Sequence, residues 1–269
     1  MALTRFQTGI LRLLAKNRIA SGESYVAGGA ALNQVLSRPR VSHDIDIFND
    51  SAEAMAASAA KDRETLEAAG FEVEVLRNLQ FMVEMRISCG GDVTDIQWVQ
   101  DSAYRFFPLV EDEIFGFTLH PLDLATNKIL ALVGRRMPRD WVDAVSCAEV
   151  LQPLGLIFWA ASGKDPGLSP RFIVETAARI RYSQAEVDIA VITGERIDVA
   201  AVSRKWHELI EQARSMIAVL PPSEMGKAVL GKDGRPFSGT ETDLRAALAA
   251  GDVVFHEGHI CGAWPRIIG

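Results

Sequence analysis

The sequence predicts an α+β fold, rich in strands over residues 1–120 and nearly all helical over 121–222, with a separate tail over 223–269. Two patterns carry that reading. FEVEVL at 71–76 and FMVEMRI at 81–87 alternate apolar and polar residues, the period-two signature of antiparallel strands. From Pro121 onward the apolar residues recur instead at spacings of three and four, which is helical. The composition fits a globular chain: of 269 residues, 48% are hydrophobic and 23% charged.

Taken in order, Phe6, Ile10 and Leu13 recur at helical spacing, so 3–18 is expected to be an amphipathic helix. Tyr25 to Ala27 reads as a short strand, and Gly28-Gly29 turns the chain into a helix of roughly ten residues. A strand over Val41–Phe48 follows, then a helix over 52–69 ended by Gly70. Extended stretches are expected at 71–76, 80–87 and 92–99. Pro121 suits a first helical turn, where its missing N–H costs nothing. Helices are expected at 121–135, 138–151, 153–162, 169–181 and 198–219. In the last of these, Val202, Trp206, Leu209, Ala213, Met216 and Leu220 form a stripe read as core. Pro221-Pro222 ends that helix, and the Gly-rich tail holds a short helix at 241–249 and a strand-like VVF at 253–255.

The net charge of −7 and pI of about 5.3 argue against a broad basic surface that coats nucleic acid, while leaving room for a local basic cleft. Cys89, Cys147 and Cys261 are odd in number and far apart, so they are expected to be reduced packing residues. No apolar stretch approaches the roughly 20 residues that cross a bilayer. The N-terminal residues do not read as a secretory signal, and the expected location is the cytoplasm.

The chemistry concentrates in VSHDIDIF. Asp44 and Asp46 stand two apart on a strand and share a face. Like charges that close are unfavourable unless a cation lies between them, and magnesium takes oxygen ligands of this kind together with substrate phosphates. A third acid on a neighbouring strand would complete a two-ion site for in-line phosphoryl displacement. Asp95 in VTDIQWV is the leading candidate and Glu84 in FMVEMRI the competitor. The alternative is that these acids simply face water at sheet edges. The upstream Gly28-Gly29 weighs against it, because glycines at a strand-to-helix turn let backbone N–H groups approach phosphate.

Gly28-Gly29, followed by Arg40-Val41-Ser42-His43-Asp44-Ile45-Asp46-Ile47-Phe48, resembles the first motif of the nucleotidyltransferase superfamily that includes DNA polymerase beta, specifically its AbiEii type of toxin nucleotidyltransferase. The block from Lys128 through Arg135, Arg136, Arg139 and Asp140 to Asp143 resembles that family's lysine and arginine-aspartate helices, and the likeness spans roughly residues 20–150. The resemblance implies a mixed β-sheet domain flanked by helices, then a mainly helical domain, with the substrate cleft between them. It implies that Asp44 and Asp46 hold magnesium, with manganese as the alternative ion, and that Asp95 deprotonates the attacking hydroxyl or shares an ion. Gly28 and Gly29 would cradle the triphosphate of an NTP, with Ser42, Lys128, Arg135, Arg136 and Asp140 completing the nucleotide site. The implied acceptor is RNA, with the 3′ end of tRNA foremost, and the implied partner is a cognate antitoxin; a small-molecule acceptor and a nucleotide-binding protein without turnover are the alternatives. Family members often carry serine where Gly29 stands, which removes a hydroxyl contact and keeps the backbone donor.

On physical grounds alone, Lys128 and Arg135 are seven apart on one helix and point the same way, each able to neutralise phosphate. Asp140 is expected to orient Lys128 or an arginine. Gly226–Asp233 nearly spells a phosphate loop, but Asp233 stands where a Ser or Thr should be, so it reads as a turn-rich linker. His256, His259 and Cys261 match no usual zinc spacing and read as a surface loop. His43 falls on the opposite strand face from Asp44, which suits packing or hydrogen bonding as well as a nucleotide contact.

Overall fold

A computed structural model describes residues 3–37, 44–191 and 196–266, Asp44 in its backbone alone. The chain divides into two compact units, Met1–Ala103 with Pro108–His120, and Tyr104–Phe107 with Pro121–Gly269.

In the first unit, α1 (Arg5–Ser21) begins where the Thr4 side chain accepts the Gln7 N–H at 3.1 Å and Gln7 Oε1 accepts the Thr4 N–H at 3.0 Å. That reciprocal cap satisfies two of the donors a helix start leaves open. Its buried stripe is Gln7, Ile10, Leu11, Leu14, Ala15 and Arg18, so Phe6 and Leu13 sit at its margin rather than at its centre as the spacing suggested. There follow β1 (Ser24–Val26), α2 (Gly28–Val35), β2 (Asp44–Asn49), α3 (Ala52–Ala68), β3 (Glu72–Leu79), β4 (Met82–Cys89) and β5 (Asp92–Gln100). The short β6 (Tyr104–Arg105), β7 (Val110–Asp112) and β8 (Gly116–Thr118) were not expected; two or three residues are too few to show a period. Seven strands form one mixed sheet in the order β3-β4-β5-β2-β1-β8-β7. The β3, β4 and β5 neighbours are antiparallel as expected, whereas β2 runs parallel to β5 and β1 parallel to β8.

One face of this sheet is dry. Ile45, Ile47, Val83, Met85, Ile87, Ile96 and Trp98 alternate onto it and are buried against α1 and α3. Truncating Trp98 to alanine there would cost about 3–5 kcal/mol. The same layer holds an ionic cluster: Asp62 accepts from Trp98 Nε1 at 3.0 Å and from Asn17 Nδ2 at 2.8 Å, and lies 3.8 Å from Arg18 Nη1. Burial raises the Asp62 carboxyl against the opposing pull of Arg18, and burial brings the Arg18 guanidinium down to about 10. Arg18 also donates to the Phe115 and Leu11 carbonyls, so one side chain ties α1 to the turn before β8.

The second unit contains α4 (Pro121–Arg135), α5 (Pro138–Val150), α6 (Leu154–Ala161), α7 (Pro170–Ala177), α8 (Gln184–Ala190) and α9 (Val199–Val219). The helix expected over 169–181 stops at Ala177, and α8, capped by Ser183 and Glu186, was not expected. Then come β9 (Ala228–Gly231), α10 (Glu241–Ala250), β10 (Val253–His256) and β11 (His259–Ile260). In α9 the stripe from Trp206 to Leu220 is core, as its spacing indicated.

Four sequence readings are corrected here. The supposed linker at Gly226–Asp233 contains β9, whose apolar Ala-Val-Leu triplet is fully buried and pairs antiparallel with β10. Val229 and Leu244 join Leu156, Trp159, Met216 and Leu220 in one core cluster, so residues 223–269 belong to the helical unit. His256 is buried rather than on a surface loop, with Nε2 at 2.8 Å from the Phe106 carbonyl. Of the cysteines only Cys147 is buried, while Cys89 and Cys261 are exposed. Among the described residues no single helix is long and apolar enough to cross a membrane.

Candidate functional site

The opposite face of the sheet is polar, and its strand register can be read in rows. Asp44 pairs with Asp95 and Asp46 with Gln97 across the parallel β2–β5 ladder. Asp95 then pairs with Arg86 and Gln97 with Glu84, and those with Glu74 and Arg77 in β3. Two adjacent rows result, Asp44–Asp95–Arg86–Glu74 and Asp46–Gln97–Glu84–Arg77. In β2, β4 and β5 the rows follow from period-two alternation, and in β3 a register shift between Val75 and Arg77 brings Arg77 into the second row.

The glycine turn stands at the β2 end of these rows. Gly28 opens α2 at φ +68°, a conformation that favours glycine. A β-carbon placed on it would lie 3.3 Å from Asp46 Cγ and closer still to Oδ2. The Ala27 N–H donates to the Asp46 carbonyl at 3.3 Å, and Ala27 brings no side-chain cap to the helix start. The backbone of the turn and the Asp46 carboxylate are therefore in contact, as the sequence pattern of Gly-Gly followed by Asp-x-Asp requires of a joint site. Within α2, the Gly29 carbonyl accepts from Asn33 Nδ2 at 2.6 Å.

Asp95 is engaged. Arg86 grips its carboxylate with two hydrogen bonds, Nε to Oδ1 at 2.9 Å and Nη2 to Oδ2 at 3.0 Å. Sequence reasoning missed Arg86, although its place one strand over from Asp95 follows from the antiparallel pairing. The competing acid Glu84 lies one strand farther from β2, held by Gln97 at 3.0 Å and Arg77 at 3.2 Å. Ser42 and His43, with Arg40, lie outside the described residues, as does the side chain of Asp44. Among the described residues no group of three His, Cys, Asp or Glu is arranged to hold a metal ion. The oxygen-only character of Asp46 and Asp95, with a turn too tight for any side chain beside Asp46, fits a hard divalent ion and phosphate.

In the second unit the lysine block forms a buried ionic network. Lys128 is 6% exposed and its Nζ lies 2.9 Å from Asp140 Oδ1 and 3.1 Å from Asp143 Oδ2. Arg135, one side exposed, donates from Nε and Nη2 to Asp140 at 2.7 and 2.9 Å. The i and i+7 positions on α4 thus reach the same carboxylate at the start of α5, where Pro138 occupies the first turn. Burial pushes the Asp140 carboxyl up, but the Arg135 and Lys128 hydrogen bonds outweigh it and hold it below the usual range. Asp140 and Asp143 together hold Lys128 in place. Arg136 follows at positive φ, +51°, and the Arg139 Nε is buried without a partner.

This arrangement is an α+β fold in which a mixed sheet, with a glycine turn beside the Asp46 carboxylate, is followed in the chain by a mainly helical unit. No protein-family model and no curated protein matches the chain. Among solved structures it is similar to JHP933 from Helicobacter pylori, at 11% identity and TM-score 0.53, covering 80% of this chain and 95% of that one. A candidate nucleotidyltransferase from H. pylori is similar at 12% identity and TM-score 0.50, with 80% and 96% covered. MenT4, the nucleotidyltransferase toxin Rv2826c from Mycobacterium tuberculosis H37Rv, aligns at 17% identity and TM-score 0.45, with 81% and 87% covered. The two H. pylori structures share the fold of this chain over nearly their whole length.

Proposed function

We propose that the protein is a magnesium-dependent nucleotidyltransferase, with manganese as the alternative ion, that moves a nucleoside monophosphate from an NTP to an acceptor hydroxyl. The observation that carries this reading is the contact between Gly28 and the Asp46 carboxylate, on the strand that also bears Asp44, the residue in register with Asp95. A side chain at position 28 would collide with that carboxylate, so only glycine lets the turn backbone approach it. In the transfer a bond forms between the acceptor oxygen and the α-phosphorus, the bond to the leaving pyrophosphate breaks, and the hydroxyl proton passes to Asp95 or to water.

Asp44 and Asp46, with Asp95, would hold the divalent ion, which when bound supplies charge neutralisation at the phosphates. Gly28 and Gly29 present backbone N–H groups to the triphosphate, and Ser42 a hydroxyl. Lys128, Arg135 and Arg136, which the resemblance makes nucleotide contacts, stand in the second unit, where Asp140 holds the first two. The acceptor is RNA, with the tRNA 3′ end foremost, and the biological role that of a toxin held in check by a cognate antitoxin in the cytoplasm. The motif resemblance supports these last assignments.

The Arg86 clasp favours a second reading, a nucleotide-binding protein of this fold without turnover, because it occupies the third carboxylate. Incubation with each labelled NTP, magnesium and total RNA separates the two. Label transferred to RNA supports the enzyme, and NTP binding without transfer to RNA or to small-molecule acceptors supports the second reading.

A further inference from the structure

The segment joining α7 to α8 forms one side of an open cavity of about 200 Å³ in the second unit, lined by Arg136, Thr176, Arg179, Ile180, Arg181 and Tyr182. Three guanidinium groups around one small cavity are conspicuous in a chain of net charge −7. Elsewhere the arginines are mostly matched to acids: Arg135 to Asp140, Arg196 to Asp188 and Arg214 to Glu175. Among the described residues, Arg136, Arg179 and Arg181 have no such ion pair. Glu175, whose charge Arg179 feels, is already taken by both Nε and Nη2 of Arg214 at 3.1 Å. Arg181 spends Nη1 on the Ala178 and Ile180 carbonyls that end α7, which fixes the side chain beside the cavity.

Two further observations point to a ligand. Arg136 ends α4 at φ +51°, where a glycine would make the turn at lower cost, so the turn alone does not account for an arginine. The Tyr182 hydroxyl is shielded from solvent and has no hydrogen-bond partner. Burial first, and then the charge of Asp140, push its ionisation up to about 12, so it remains a neutral O–H able to donate. The Tyr182 ring lies 5.6 Å from that of Trp141, next in sequence to Asp140.

We propose that this cavity is a phosphate subsite, in which Arg136, Arg179 and Arg181 receive one phosphate group of a polyanionic substrate, with the Tyr182 hydroxyl as an additional donor. Its volume is room for several waters, at about 30 Å³ each. It is below the roughly 300–1,000 Å³ of pockets that enclose whole small ligands, a size that suits a phosphate with the attached nucleoside left outside the open mouth. Guanidinium forks match phosphate oxygens two at a time, which lysine cannot do. The phosphate comes either from the backbone of an acceptor RNA or from the tail of the NTP. That it belongs to a transfer substrate rests on the proposed function; that the cavity binds phosphate does not.

The test uses the full chain and titrates inorganic pyrophosphate, a short oligoribonucleotide and an NTP separately by calorimetry, without divalent metal. Arg179→Glu, at an exposed position, and Tyr182→Phe, which deletes only an unpartnered oxygen, are compared with the parent. Pyrophosphate affinity is expected to fall about tenfold or more in Arg179→Glu and severalfold in Tyr182→Phe, with both variants melting as the parent does. A lowered salt slope for the oligoribonucleotide, by about one, assigns the phosphate to RNA; a matching loss of NTP affinity assigns it to the nucleotide. Unchanged affinity for all three probes in both variants overturns the subsite. Asp46→Asn separates the two proposals: were it to leave transfer intact, the proposed function would fail while pyrophosphate binding here still stood or fell by Arg179 and Tyr182.

Discussion

Gly28→Ala tests the turn beside Asp46 most sharply, because the chain supplies its own control. Gly28 has φ +68° and Gly22 has φ +70°, yet an added β-carbon meets the Asp46 carboxylate at the first position and nothing within 4 Å at the second. The backbone penalty for an L-residue in that region is about 1–2 kcal/mol, and alanine returns about 0.4–1 kcal/mol by restricting the unfolded chain. Gly22→Ala should therefore lose about 1 kcal/mol. Gly28→Ala must in addition drive the Asp46 side chain from its rotamer, at about 0.5–1.5 kcal/mol, for a total near 2 kcal/mol. Urea unfolding of the full chain measures both. The same shift moves the carboxylate proposed as a metal ligand, so nucleotidyl transfer should drop at least about tenfold in Gly28→Ala and stay near parental in Gly22→Ala. Equal stability and equal activity in the two variants would refute the argument that position 28 is reserved by the carboxylate.

Other expectations follow from the remaining geometry. Asp140→Ala leaves the buried Lys128 ammonium with Asp143 alone and should cost about 3–5 kcal/mol by chemical denaturation. Because Asp140 is held below its ordinary value of 3.8, its stabilisation is present above that pH and lost as the pH falls through the lower folded value; the stability gap between parent and Asp140→Asn should accordingly narrow in unfolding curves taken from pH 5 down to pH 3. Arg86→Ala removes a cation from beside Asp95 with little change in stability. If Asp95 shares the ion, magnesium should bind severalfold tighter by calorimetry, and an unchanged affinity would take Asp95 out of the metal site. Ending the chain at Pro222 uncovers Leu156, Trp159, Met216 and Leu220, and the product should melt lower and scatter light; an unchanged melting temperature would contradict the packing of 223–269 on α6 and α9.

The sequence disclosed the elements with long, strong periods. Trp206 to Leu220 on α9 and the alternating β4 and β5 needed only spacing, and the Gly-Gly plus Asp-x-Asp pattern led directly to Gly28 and Asp46. What it hid depended on partners distant in the chain. β9 looked like a linker because three apolar residues among glycines mean little until β10 lies beside them. His256 looked exposed because its burial comes from the Phe106 carbonyl 150 residues away. Arg86 was legible in principle, through the cross-strand partner of Asp95, but only once the register of β4 against β5 was known. The arginines at 179 and 181 fall inside the continuous helix expected over 169–181, and it is the break after Ala177 that gathers them with Arg136.

The central claim is that Asp46 and the glycine turn act as one metal and phosphate site, and Asp46→Asn addresses it directly. The substitution keeps size and removes charge, so the folded chain should melt close to the parent. With labelled NTPs, magnesium and total RNA, the account predicts transfer by the parent and none above background by the variant. Transfer by Asp46→Asn at the parental rate would contradict it.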